Sequence, residues 1–118
     1  KVLVVGGYGS YSSFNSAELY DPLTGTWSNT SNMISSRISH SASVLNDGRV
    51  LVHGGTGSCG ASNIPEIYDP SADVWTVMTK GNQRRYAHTV SVLSDGTALV
   101  TGGEAGISCL DAAEIYHP

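Results

Sequence analysis

Apolar residues in this chain come in short runs, and each run gives way within two residues to Gly or Asp: "VLVV" (2–5), "SASVL" (41–45), "VLVHGG" (50–55), "VSVL" (90–93) and "ALVTGG" (98–103). No segment keeps a helical period, so the pattern predicts strands. Asp47-Gly48 stands between two of these runs and Asp95-Gly96 between two others. Both central residues of a type I′ turn need positive φ, which makes Asp-Gly between apolar runs a strong hairpin signal. "PEIYD" (65–69) reads as a further strand, ended at Pro70 because proline has no amide to donate. In "DPLTGTW" (21–27), Pro22 presets φ and Gly25 supplies a left-handed position, so another tight turn leads into the Trp27 strand. The expected elements are antiparallel strands near 2–6, 17–21, 26–30, 40–45, 49–54, 65–69, 74–78, 88–93, 97–102 and 113–116. The fold class is all-β.

The same pattern is written more than twice. "ELYDP" (18–22), "EIYDP" (66–70) and "EIYHP" (114–118) are 48 residues apart, as are Gly6-Gly7, Gly54-Gly55 and Gly102-Gly103. Trp27 and Trp75, Arg37 and Arg85, and His40 and His88 keep the interval without insertion or deletion. The chain therefore holds about two and a half copies of one unit, a four-stranded antiparallel meander. Departures are few: His117 stands where Asp21 and Asp69 stand, and Gly81-Asn82 replace Met33-Ile34.

Within the unit these marks are Gly54-Gly55, Tyr68, Trp75, Arg37 and His40, and together they resemble the kelch repeat over the entire chain. The resemblance implies a β-propeller, each repeat forming one blade around a central channel. Physics points the same way: a lone four-stranded sheet cannot cover two apolar faces, whereas stacked blades can, with Tyr and Trp filling the layer between them. Tyr68 and Trp75 should be buried there, and Trp27 should pack similarly, with an exposure set by what covers the incomplete blade. The repeated Glu of Glu-x-Tyr reads as a structural partner for a neighbouring blade's polar group. The expected units are a partial blade (1–36), a complete blade (37–84) and a second partial blade (85–118). Ten strands leave the ring open, so the remaining blades are expected from a longer parent chain.

Charge narrows the partners. Six Lys and Arg against ten Asp and Glu give a formal charge of −4, which repels a phosphate backbone and argues against nucleic acid. The apolar runs are far too short to span a bilayer. Nothing in the residues asks for a cofactor, and no metal-ligand spacing appears: His40 and His88 are repeat equivalents with a structural role, while His53, whose counterparts are Val5 and Thr101, breaks the repeat without a second ligand at a recognisable spacing. Kelch-type propellers include radical-copper galactose oxidases, whose site needs a Tyr cross-linked to a Cys, a second Tyr and two His. That set is not demonstrable in these residues, so the enzyme reading makes this chain structural blades only.

Cys59 and Cys109 break the repeat and fall in second-to-third-strand loops on one propeller face. A disulfide between them is one of two readings, open to them if the parent is secreted. The Asn29-Thr30-Ser31 sequon and the Ser/Thr/Gly-rich composition lean toward an extracellular parent; the alternative is two free thiols in a cytosolic protein. The leading reading is a non-catalytic binding or scaffold module that presents variable loops to a protein or glycan. A residue repeated in every copy is explained by the blade, whereas one that breaks the repeat is free to serve function. On that reasoning the candidate contact residues are Tyr8, Tyr11 and Phe14 in the first loop, and Arg84 and Tyr86 in a blade-to-blade segment.

Overall fold

The computed structural model describes residues 1–118. It contains strands and turns and no helix. Three antiparallel sheets follow one another along the chain. The first is β1 (Val2–Val5), β2 (Ala17–Asp21) and β3 (Thr26–Asn29). The middle sheet joins β4 (Ser41–Val44), β5 (Val50–His53), β8 (Glu66–Asp69) and β9 (Val74–Val77) in that order. The last joins β10 (Thr89–Val92), β11 (Ala98–Thr101) and β14 (Ala113–Tyr116). All ten expected strands are present. Four more arose in the loops between second and third strands, as two-residue ribbons: β6 (Thr56–Gly57) with β7 (Gly60–Ala61), and β12 (Glu104–Ala105) with β13 (Ser108–Cys109).

The turns follow from the residues that make them. Gly48 and Gly96 take φ of 88° and 87° in the Asp-Gly hairpins, as a tight turn demands. The turn before each Trp strand needs a left-handed residue, which is Gly25 in the first copy (φ 68°) and Asp73 in the second (φ 54°). Asp73 recovers some of that strain by accepting from the amide and hydroxyl of Ser31 and from the Tyr68 hydroxyl.

The apolar core lies between blades, as stacking requires. One cluster, Ala17, Met33, Val52, Tyr68 and Trp75, joins the first blade to the middle one. The other, Leu45, Leu51, Ile67, Ala98, Val100 and Tyr116, joins the middle blade to the last. Each side chain fully buried in this way contributes about 1.5–3 kcal/mol. Tyr68 and Trp75 are paired across β8 and β9 with ring centroids 5.0 Å apart, and both are buried. Tyr20 and Trp27 pair in the same register at 4.9 Å, yet Trp27 is 56% exposed. Trp27 thus packs on its tyrosine as Trp75 does, and only its exposure differs. Trp75 is covered by the preceding blade, whose Ser31 carbonyl accepts from its Nε1 at 2.9 Å, and the residues that would cover Trp27 in the same way are not among these 118.

Candidate functional site

The repeated polar residues are consumed by the blade. Arg37 is 1% exposed and ties both ends of the long loop between β5 and β8: Nη1 donates to the Gly54 carbonyl at 2.8 Å, and Nη2 to the Ile64 carbonyl at 2.6 Å. Nη2 also donates to Glu66 Oε1 at 2.9 Å. Glu66 accepts in turn from the amides of Ile34 and Ser35 in the segment entering from the first blade. This carboxylate is a structural hub, bonded within its own blade and across to its neighbour. Arg85 repeats the arrangement with the carbonyls of Gly102 (2.7 Å) and Ala112 (3.2 Å), although its contact to Glu114 is longer, 3.6 Å. The double glycine serves close approach: a Cβ on Gly54 would lie 2.5 Å from the Arg85 carbonyl oxygen, and one on Gly55 2.8 Å from that of Ile38.

Strand alternation places the loops after β1, β5 and β11 at the same end of the blades as the blade-to-blade segments. Bridges Ile38–Thr56 and Tyr86–Glu104 tie a segment to the base of a ribbon on that end, and Tyr8–Ser13 closes the first loop on itself. The ribbon tips then carry Tyr11, Cys59 and Ile107, which are repeat equivalents. Tyr11 is 96% exposed, Ile107 is fully exposed, and Cys59 is exposed.

The five candidate residues lie on this face in four different settings. Tyr8 and Tyr11 project into solvent, whereas the Phe14 ring, 43% exposed, covers Gly9 of its own loop and leaves no room for a Cβ there. Arg84 is exposed and lines a cavity of about 310 Å³ with Ile34, Ser36, Cys59, Asn63 and Ile64. Tyr86 is half-buried, and its hydroxyl donates to the Gly106 carbonyl at 2.7 Å, holding the third loop.

Cys59 and Cys109 are both exposed free thiols, so of the two readings the structure has the unbridged one. Each loop is closed by its own ribbon, with Cys59 at one tip and Cys109 inside β13 opposite Glu104, which keeps each thiol in its own blade.

Among the histidines, His117 is exposed and His40 is half-buried. His53 and His88 were not paired by the sequence reading, and here they meet. His53 is fully buried, and its Nδ1 lies 3.1 Å from Nε2 of His88. The two rings stand edge to face with centroids 5.1 Å apart. Burial first, then the Arg85 and Arg37 guanidiniums, lower the pKa of His53 to about 4. Burial, then His53, Arg85 and His40, lower that of His88 to about 4. Both rings are therefore neutral near pH 7 and share a single hydrogen bond. The signal that could have found them is that His53 and Gly81 depart from the repeat together, where the first copy has Val5 and Met33. No group of three or more His, Cys, Asp or Glu converges as metal ligands would.

Comparison with known families gives one result: the profile of the kelch motif matches residues 1–34 and 37–82, more than half of the chain. No curated protein matches it.

Proposed function

The chain belongs to the kelch-repeat family, and from that premise we propose that it is a non-catalytic binding or scaffold module whose loop face recognises a protein or glycan. The observation that carries this reading is the division of labour in the unit. Arg37, Glu66, Tyr68 and Trp75, with Arg85, Glu114 and Tyr116, are taken up by packing and hydrogen bonds. The equivalent tips Tyr11, Cys59 and Ile107 make no such contribution and stand in solvent. Exposed aromatic and aliphatic side chains beside an arginine are the residue types that anchor partners. Tyr8, Tyr11, Arg84 and Ile107 are the proposed contact residues. Phe14 and Tyr86 support the loops beneath them.

The test is a comparison of cross-linked partners and glycan-array binding for the unaltered chain, a Tyr11→Ser/Ile107→Ser variant and a Leu23→Ser control. Leu23 is 94% exposed at the opposite end of the blades. Binding lost in the first variant and kept in the control supports the reading. Equal loss in both, or no loss in either, overturns it.

A further inference from the structure

The two joints between blades share their design except where two positions change together. At the first, Met33 is buried in the apolar cluster, with Val5 packed against it. At the second, His53 occupies the position of Val5 and Gly81 that of Met33. A Cβ on Gly81 would lie 3.2 Å from both His53 Nε2 and Glu114 Oε1, so the glycine makes room for the imidazole. His53 Nε2, His88 Nδ1 and Glu114 Oε1 are buried without a hydrogen-bond partner. Charged and titratable groups surround the pair on every side. Arg37 and His40 come from the segment before β4, and Arg85 from the segment before β10. Glu114 and Tyr116 come from β14, the Tyr116 ring lying 5.8 Å from that of His53. Glu66 of β8 is already paired with Arg37. Glu114, itself 3.6 Å from Arg85 Nη2, is the one carboxylate facing the pair, against two guanidiniums.

We propose that the His53–His88 pair is an acid-sensitive joint: neutral imidazoles close the middle blade onto the last, and protonation opens it, releasing the 79–88 segment that carries Arg84 and Tyr86. A neutral pair has one N–H and one lone pair to share. Two imidazoliums would point N–H at N–H, losing the bond and adding repulsion in a buried site. Two main-chain bonds cross the same joint beside the rings, Gly55 N–H to the Arg85 carbonyl and Ala87 N–H to the Ser39 carbonyl, each 2.8 Å. These are the contacts that opening would break.

The direction of the response follows from the depressed pKa values. Between the ordinary 6.5 and the folded value of about 4, the open form binds more protons than the closed one. The stabilisation is therefore complete above 6.5 and is lost as the pH falls toward 4. Each histidine raises the opening constant by up to about tenfold per pH unit in that window. This response holds whether or not the loop face binds a partner, so its failure and the failure of the proposed function are separable.

Amide-exchange protection factors, corrected for intrinsic rates, read each joint separately. Gly55 and Ala87 report the second joint, and Gly7, whose N–H donates to the Arg37 carbonyl at 2.9 Å, reports the first. From about pH 7 to about pH 5, protection at Gly55 and Ala87 should fall by about tenfold or more, well beyond any change at Gly7. The double variant His53→Val/Gly81→Met writes the first joint's pair into the second and removes the share that His53 carries, so the fall should shrink to about its square root, the part left to His88. Gly7 and Gly55 losing protection together, neither losing it, or the double variant keeping the full response would each overturn the proposal. Should the double variant not fold, ring titration of the unaltered chain by NMR decides. Both histidines titrating below about pH 5 supports the joint, and either titrating near 6.5 removes it.

Discussion

The first joint leaves two buried polar atoms without a hydrogen bond, Arg37 Nε and His40 Nδ1, whereas the second leaves four, His53 Nε2, Arg85 Nε, His88 Nδ1 and Glu114 Oε1. At the first, the Glu66 carboxylate takes two amides and a guanidinium, Trp75 reaches the Ser31 carbonyl, and Met33 fills the space below. At the second, Glu114 takes one amide, that of Asn82, and its Oε1 has only the 3.6 Å contact with Arg85 Nη2, while Tyr116 reaches the Thr79 carbonyl at 2.9 Å. The swap of Val5 and Met33 for His53 and Gly81 trades bulk on one segment for bulk on the other, which a close-packed layer tolerates. What does not survive the swap is the chemistry, because an apolar contact has become a titratable one. Repeats constrain volume and backbone strictly, and they leave polarity open wherever the volume can be shared between two blades.

Substitutions can test that contrast, beginning with the strongest. Glu66→Ala should destabilise the chain by about 3–5 kcal/mol in urea unfolding, because it strands a buried Arg37. Glu114→Ala should lose only about 1–3 kcal/mol, since its own contacts are fewer; equal losses would show that the joints are energetically alike. Met33→Ala opens a cavity at the first joint and should lose about 2–5 kcal/mol. Gly81→Met overfills the second by about 1–3 kcal/mol, and adding His53→Val should recover part of that, a coupling readable in a double-mutant cycle. Trp75→Phe removes one hydrogen bond and should lose about 1 kcal/mol, whereas Trp27→Phe should lie within about 0.5 kcal/mol of the unaltered chain in the same assay. Tyr11→Ser should leave the unfolding midpoint unchanged, with a shift under about 0.5 kcal/mol.

The blade skeleton was legible because its determinants are local. Asp47-Gly48 and Asp95-Gly96 fix their hairpins without help from distant residues, and Pro70 and Gly25 mark their turns. The four ribbon strands escaped because two residues carry no period, and their pairing rests on main-chain bonds that no side chain announces. The exposure of Trp27 was left open for a related reason. A repeat states which face is apolar, but burial belongs to whatever covers that face. The loop face was legible as a place, through residues that depart from the repeat, whereas the work of Tyr86 and Phe14 inside their loops was not. The pairing of His53 with His88, 35 residues apart, follows from blade stacking and has no counterpart in local spacing.

The two-residue ribbons have a consequence for how such a face changes over generations. The stems under Cys59 and Ile107 are held in register by Thr56–Ala61, Gly57–Gly60, Glu104–Cys109 and Ala105–Ser108 pairing, and the first loop by Tyr8–Ser13. Main-chain bonds do not read the letter carried at the tip. A mutation at residue 11, 59 or 107 therefore alters what one blade shows to the outside while its stem and the joint beneath it stay as they were. The face behaves as a row of independently replaceable characters, open to revision one blade at a time.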